Sequence, residues 1–321
     1  MVEEWVVTHM DYWVLDGCTF KLSRYATHLL WSKELASFLA SQPSLREFQF
    51  FGGTTADSER VDVPDHALPR CNVLRVSAHM LPDFKARRNI THLRVDMFHN
   101  NAEEEKRMAK CIKRYGHTLN VLALVRRVGW EEYLSIPSML KHFIEHTPQL
   151  VCLAMYDTLD FSQMENKKIL KLMSQNLRKL QVLIWAPLHD GHHMDDDVYT
   201  SEEESGFSAD SDSDEDSKSK VDRYAHVVMA AMPSLKYFIS MRDRGIEGWL
   251  RDAQGHIIRH IPPMPALENC YASVNPQEPL EYFLRPGFLW TTESLDMTER
   301  YYLPYDMPTR RTTVDERYNS R

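Results

Sequence analysis

The sequence predicts an α/β protein made by stacking one strand–helix unit many times. Three observations carry that expectation. A short motif with apolar residues at positions one, four and six recurs along the chain. Helical patterns fall between its copies. Polar or Pro-containing turns join each helix to the next copy.

Leu119-Asn120-Val121-Leu122-Ala123-Leu124 is the cleanest copy. Leu150-Val151-Cys152-Leu153-Ala154-Met155 and Leu180-Gln181-Val182-Leu183-Ile184-Trp185 repeat it at intervals of 31 and 30 residues. Further copies begin at Leu45, Cys71, Ile90 and Leu235, with others expected at Thr19–Tyr25 and Leu267–Val274. Residues at one, four and six should point between the strand and helix layers. Each buried Leu there contributes roughly 1.5–3 kcal/mol relative to exposure. No unit can bury its apolar edge alone, so the units stabilise one another as nearest neighbours.

Helices are expected wherever apolar residues return at helical spacing. Lys33–Ser41 carries Leu35, Phe38 and Leu39 on one face, with Ser32 as N-cap. Ala102–Tyr115 carries Met108, Cys111, Ile112 and Tyr115, with Gly116 as its stop. Ile136–His146, Lys167–Ser174 and Asp222–Met232 follow the same logic. The turns after them read Gln42-Pro43-Ser44, Thr147-Pro148-Gln149 and Met232-Pro233-Ser234. Met1–Asp16 is apolar and aromatic and reads as a cap over the first unit. Ile246–Pro265 reads as a short helix, a turn at Gly255 and an isoleucine-rich run.

The domain layout expected is an N-terminal cap (1–17), repeats (18–188), an acidic disordered insertion (189–220), last repeats with a C-terminal cap (221–303) and a flexible tail (304–321). The net charge of -8 comes from the insertion. Eleven Asp or Glu and no Lys or Arg lie between Asp195 and Asp216, which leaves the rest of the chain at +3. A nearly neutral body gives no electrostatic case for nucleic acid. Five well-separated cysteines (Cys18, Cys71, Cys111, Cys152, Cys270) argue against a disulfide or zinc framework. Neither a secretory leader nor an apolar run long enough to span a bilayer is evident in the sequence. Cytoplasm or nucleus is the expected location, with no membrane partner.

The step Leu35-Ala36-Ser37-Phe38-Leu39-Ala40-Ser41-Gln42-Pro43-Ser44-Leu45, echoed at Thr147-Pro148-Gln149-Leu150 and Met232-Pro233-Ser234-Leu235, resembles the irregular leucine-rich repeats of fungal F-box proteins. That resemblance covers roughly residues 18–275. It implies a leucine-rich repeat solenoid, with a curved parallel sheet on the concave side and helices on the convex side. It also implies a substrate-receptor-like, non-catalytic role in which a protein partner is held, with a cullin-ligase adaptor as a further partner. Residues 1–17 show no Leu-Pro-x-Glu helical start. The resemblance therefore implies the recognition half of a receptor without a recognisable F-box. A free-standing scaffold unrelated to ubiquitin ligation shares the same fold.

In such repeats, positions three, five and seven line the concave sheet. The first three strands would offer Glu47, Gln49, Phe51, Val73, Arg75, Ser77, His92, Arg94 and Asp96. The next four would offer Val121, Ala123, Val125, Cys152, Ala154, Tyr156, Val182, Ile184, Ala186, Tyr237, Ile239 and Met241. Charge thus gives way to an almost wholly apolar face. A large apolar face is seldom left bare. Either the chain covers it, with its C-terminal tail or acidic insertion, or a partner docks there with Tyr156 and Tyr237 as anchors.

Weaker chemical signals accompany the repeats. Ser211 and Ser213 each have an acid three residues on, which suits an acidophilic kinase, and a solvated spacer is the alternative. His189, His192, His193 and Asp195 suggest a metal-dependent hydrolase, weakly, because a site at a loop edge lacks rigid support. His142 and His146 are expected as an exposed pair, and Cys111 and Cys152 as buried inert thiols. No Gly-rich phosphate loop, GxSxG elbow or HExxH is present, and no cofactor is expected.

Overall fold

The computed structural model describes residues 4–7, 19–27, 29–50, 61–97, 102–126, 136–157, 167–187, 213–242 and 245–260. Its strands are β1 (Glu4–Val7), β2 (Arg24–Thr27), β3 (Glu47–Phe50), β4 (Val73–Ser77), β5 (His92–Met97), β6 (Val121–Arg126), β7 (Cys152–Asp157), β8 (Val182–Pro187), β9 (Tyr237–Arg242), β10 (Gly245–Arg251) and β11 (Ile257–His260). They form one sheet in chain order. Every neighbouring pair from β1 to β9 is parallel. The last two pairs are antiparallel. The described helices are α1 (Lys33–Ala40), α2 (Ala102–Tyr115), α3 (Ile136–Lys141), α4 (Lys167–Asn176) and α5 (Ser213–Ala231). The molecule is therefore an α/β protein with a mostly parallel sheet.

All seven motif copies become strands, and each strand starts two residues after the copy's first apolar residue. The entry is locked the same way each time. The Arg46 carbonyl accepts from the N–H groups of Asn72 and Val73, at 2.9 and 3.1 Å. The carbonyls of Ser23, Asn72, Thr91, Asn120, Val151 and Gln181 each accept two N–H groups of the following unit alike. The preceding turns also match. The N–H groups of Leu45, Leu150 and Leu235 donate to the carbonyls of Gln42, Thr147 and Met232. Pro43, Pro148 and Pro233 sit second in these turns, where φ is preset and no N–H is required.

Gln42 adds a side-chain tie. Its Oε1 accepts from the Leu22 N–H at 3.0 Å, and its Nε2 donates to the Phe20 carbonyl at 3.2 Å. The amide thus fastens the turn after α1 to the residues that lead into β2.

One ladder of side chains runs through the core: Tyr25, Phe48, Leu74, Leu93, Leu122, Leu153, Leu183, Phe238 and Trp249. All are buried against the helices. Aromatic rings close both ends, with Tyr25 stacked on Phe48 at 6.0 Å and Phe238 against Trp249 at 5.5 Å. Trp31 ties distant units together, since its Nε1 donates to the Asp83 carboxylate at 3.0 Å.

α1 starts where expected, and the Ser32 hydroxyl accepts from the Leu35 N–H at 3.2 Å. Three expectations need correction. Ile246 onward is not a helix; β10 and β11 form a hairpin added to the edge of β9. An open strand edge recruits backbone partners, and Trp249 gains both the Phe238 ring and a 2.7 Å bond to Asp222. The turn at Gly255 does occur, at φ +90°. Second, α5 begins at Ser213, so residues 213–220 are helical rather than part of a disordered insertion. Asp214, Glu215 and Asp216 fall in its first turn, where the helix dipole favours negative charge. Third, α3 ends at Lys141 and a 3-10 turn at Ile144–His146 follows, so His142 and His146 do not share a regular helix. Residues 189–212, the expected copy at 267–274 and the tail at 304–321 lie outside the described residues.

Gly116 does end α2, but not through a left-handed backbone. A Cβ placed there would lie 1.8 Å from the His146 carbonyl oxygen. Close approach of two units, rather than conformational freedom, demands glycine. Gly116→Ala should therefore lower stability by roughly 1–3 kcal/mol, as overpacking against backbone does. Urea unfolding of the two proteins measures it, and an unchanged midpoint would refute the account.

Candidate interaction face

Because side chains alternate along a strand, the sheet has a second face opposite the helices. Register aligns its side chains into ladders. Glu47, Val73, His92, Val121, Cys152, Val182 and Tyr237 form one. Gln49, Arg75, Arg94, Ala123, Ala154, Ile184 and Ile239 form the next. Ser77, Asp96 and Val125 belong to a third, continued in the backbone by Tyr156 and Ala186. The structure thus brings the expected residues of the face together. Phe51 lies outside the described residues. Tyr156, Ala186 and Met241 lie in β7, β8 and β9, with their side chains outside the described set.

The β3–β5 end is polar. Arg75 Nε donates to one oxygen of Asp96 at 2.9 Å, and Arg94 Nε to the other at 3.0 Å. Arg75 and Arg94 are register neighbours, so one carboxylate bridges two adjacent guanidinium groups. All three are buried. Glu47 accepts from Gln49 and pairs with Arg24 at 3.4 Å.

From β6 onward the face is apolar and buried. Val121, Ala123, Val125, Cys152, Ala154, Val182, Ile184, Tyr237 and Ile239 are each at most 5% exposed. Burial pushes the Cys152 thiol well above its ordinary pKa. The Cys71 thiol, on the helix side, is pushed up to about 12 mainly by burial, and Cys111 is also raised by it. Such thiols stay protonated and are poor nucleophiles.

His92, half-buried beside the Thr91 hydroxyl (2.9 Å), has its pKa lowered by burial. Tyr115, whose hydroxyl donates to the Phe84 carbonyl at 3.1 Å, is pushed up to about 12, chiefly by burial. Among the described residues, no group of three or more His, Cys, Asp and Glu could hold a metal ion. His189, His192, His193, Asp195 and Ser211 lie outside the described residues, and Ser213 is placed by its backbone alone. No described helix is long and apolar enough to cross a membrane.

One buried ion pair is not apparent from the repeat pattern. Arg126 Nε lies 3.2 Å from Glu105 Oε1, and both side chains are almost fully buried. Two signals in the sequence point to it. Glu105 precedes Met108 and Ile112 by three and seven residues, on the apolar stripe of α2. Arg126 shares the parity of Leu122 and Leu124, which point to the helices. Arg126 Nη2 also contacts Met139 Sδ at 3.5 Å, so the pair joins β6, α2 and α3.

No protein-family model and no curated protein matches the chain.

Breaking a buried pair leaves one charge stranded, so Glu105→Gln should cost roughly 3–5 kcal/mol. Glu105→Leu combined with Arg126→Met should recover most of that loss, because a well-packed apolar pair replaces a desolvated ionic one. Denaturant unfolding of single and double variants tests both halves. His92 adds a pH term. Its folded pKa lies below the ordinary 6.5, so under mild acid the unfolded chain binds the extra proton. The stability it contributes is present above pH 6.5 and lost as pH falls from there through its folded pKa. His92→Gln should flatten the change in unfolding midpoint between about pH 7.5 and about pH 5.5. An identical slope in both proteins would sink this assignment.

Proposed function

We propose that the chain is a non-catalytic protein-interaction module. It is a leucine-rich-repeat-like solenoid of the substrate-receptor type, with a protein partner on the second face of its sheet. The observation that carries this reading is the uniform unit. Seven motif copies, each entered through the same paired hydrogen bonds, build one continuous ladder surface. Stacked-unit architectures offer extended surfaces suited to protein partners. The described thiols are held in unreactive form, which fits a binding role.

The C-terminal part of the face is buried within the chain, so a partner gains it only by displacing whatever lies there. Gln49, Val73 and His92 on the first strands are half-buried and form the accessible margin. Substitution at Tyr237 or Ile239 would read on folding as well as binding, since both are buried. The better test is affinity capture of the tagged full chain from its own cells. Co-purification of a cullin and its adaptor is the expected result. Their reproducible absence would overturn the ligase-receptor reading and favour a free-standing scaffold.

A further inference from the structure

Among the described residues, sixty-six apolar side chains are buried, and nine of them stand outside the helix-side core. Those nine are Val121, Ala123, Val125, Cys152, Ala154, Val182, Ile184, Tyr237 and Ile239, all on the second face of β6–β9. Every buried apolar residue of the five described helices, and of residues 61–71 and 78–90, belongs to the helix-side core instead. No described element therefore accounts for the burial of this face, yet it is buried within a single chain.

We propose that residues 280–303 of this chain lie across the second face of β6–β9 and form its built-in cover. Composition, reach and charge order support this occupant. The stretch carries Leu280, Tyr282, Phe283, Leu284, Phe288, Leu289 and Trp290, a density of large apolar side chains that the acidic run at 195–216 lacks. Small residues at Ala123 and Ala154, flanked by Ile184, Tyr237 and Ile239, make the face low over β6 and β7. Large rings fill such relief well.

Reach is ample. β11 ends at His260, two strands beyond β9. Strands lie about 4.8 Å apart, so β6 is only about 24 Å away across the sheet. The intervening residues 261–279 can extend to roughly 60 Å. Charge order agrees as well. Beyond Trp290 come Glu293, Asp296 and Glu299. A segment running from β9 toward β4 sets its apolar part on β9–β6 and brings these acids to the end where two guanidinium groups, Arg75 and Arg94, share the single carboxylate of Asp96. The cover follows from burial of the face and holds whether or not the receptor reading does.

Cys152 reports on the covered face, while Cys71 and Cys111 report on the helix-side core. In a full chain carrying Cys18→Ser and Cys270→Ser, a specific protease site replaces Asn275–Glu278. Thiol labelling is followed by mass spectrometry before cutting and after removal of the released segment. All three thiols should be protected before the cut. Afterwards Cys152 should label at least about tenfold faster while Cys71 and Cys111 stay protected, as loss of a local cover requires. Continued protection of Cys152 would overturn the proposal.

If all three thiols react together, the cut protein has unfolded, and the intact chain decides. A photo-crosslinking residue at Phe288 or Trp290 should then join to strands β6–β9 within one molecule. Crosslinks confined to the helices, or formed only between two copies, would refute the cover.

Discussion

Each strand from β3 to β9 enters the sheet through a carbonyl of the preceding unit that accepts two successive N–H groups, and the two-faced arrangement depends on that repeated bond. The acceptors run from Ser23 to Gln181 without changing parity. Side chains alternate with period two, so a slip of one residue would turn every strand over. Leu122, Leu153 and Leu183 would then leave the core, and Val121, Cys152 and Val182 would enter it. The bond holds parity constant even though unit length varies from 19 to 55 residues. Length variation is absorbed before the strand, in helices and connections, where it cannot disturb the ladder.

Constant parity separates the two kinds of buried surface. On the helix side, large aliphatic and aromatic residues interlock with α1 to α5. On the other side, the polar groups of β3–β5 give way to small and branched apolar residues. The Arg75–Asp96–Arg94 bridge crosses two neighbouring strands, so it adds a charged tie between units. Glu105 and Arg126 do the same on the helix side, between β6 and α2. Both sets strap neighbouring units together.

Strand positions were legible because the one-four-six pattern reports burial on one side, and seven copies repeat the same message. Helix starts were legible where capping chemistry is explicit, as at Ser32. The ladder membership of Val121, Ala123, Cys152, Ala154, Val182, Ile184, Tyr237 and Ile239 is what the leucine-rich-repeat resemblance implies for positions three, five and seven, and strand alternation agrees with it. Misreadings arose where the deciding contact is distant in sequence. Gly116 does stop α2 as its position predicts, but the reason for glycine there is the His146 carbonyl of another unit. Residues 246–251 have helix-compatible spacing, yet the open edge of β9 and the Phe238 ring draw them into a strand. The acidic residues after Ser213 read as solvated, while their place in a first helical turn favours them. Burial of the second face is one of two readings the sequence leaves open, since alternation says which way a side chain points and not what meets it.

That last distinction shapes how a binding module of this form would work. An exposed apolar face would bind partners at its intrinsic affinity, and would also attract aggregation. A face covered by its own chain binds in proportion to the fraction of molecules in which the cover is displaced. Affinity for a partner is then a difference between two terms. One is the apolar surface the partner buries on β6–β9, and the other is the surface the cover must give back to water. Small residues at Ala123 and Ala154 suit either occupant equally, because they recognise shape rather than charge. The arginine-bearing strands β4 and β5 carry the directional information. They would favour an occupant whose acidic part follows its apolar part.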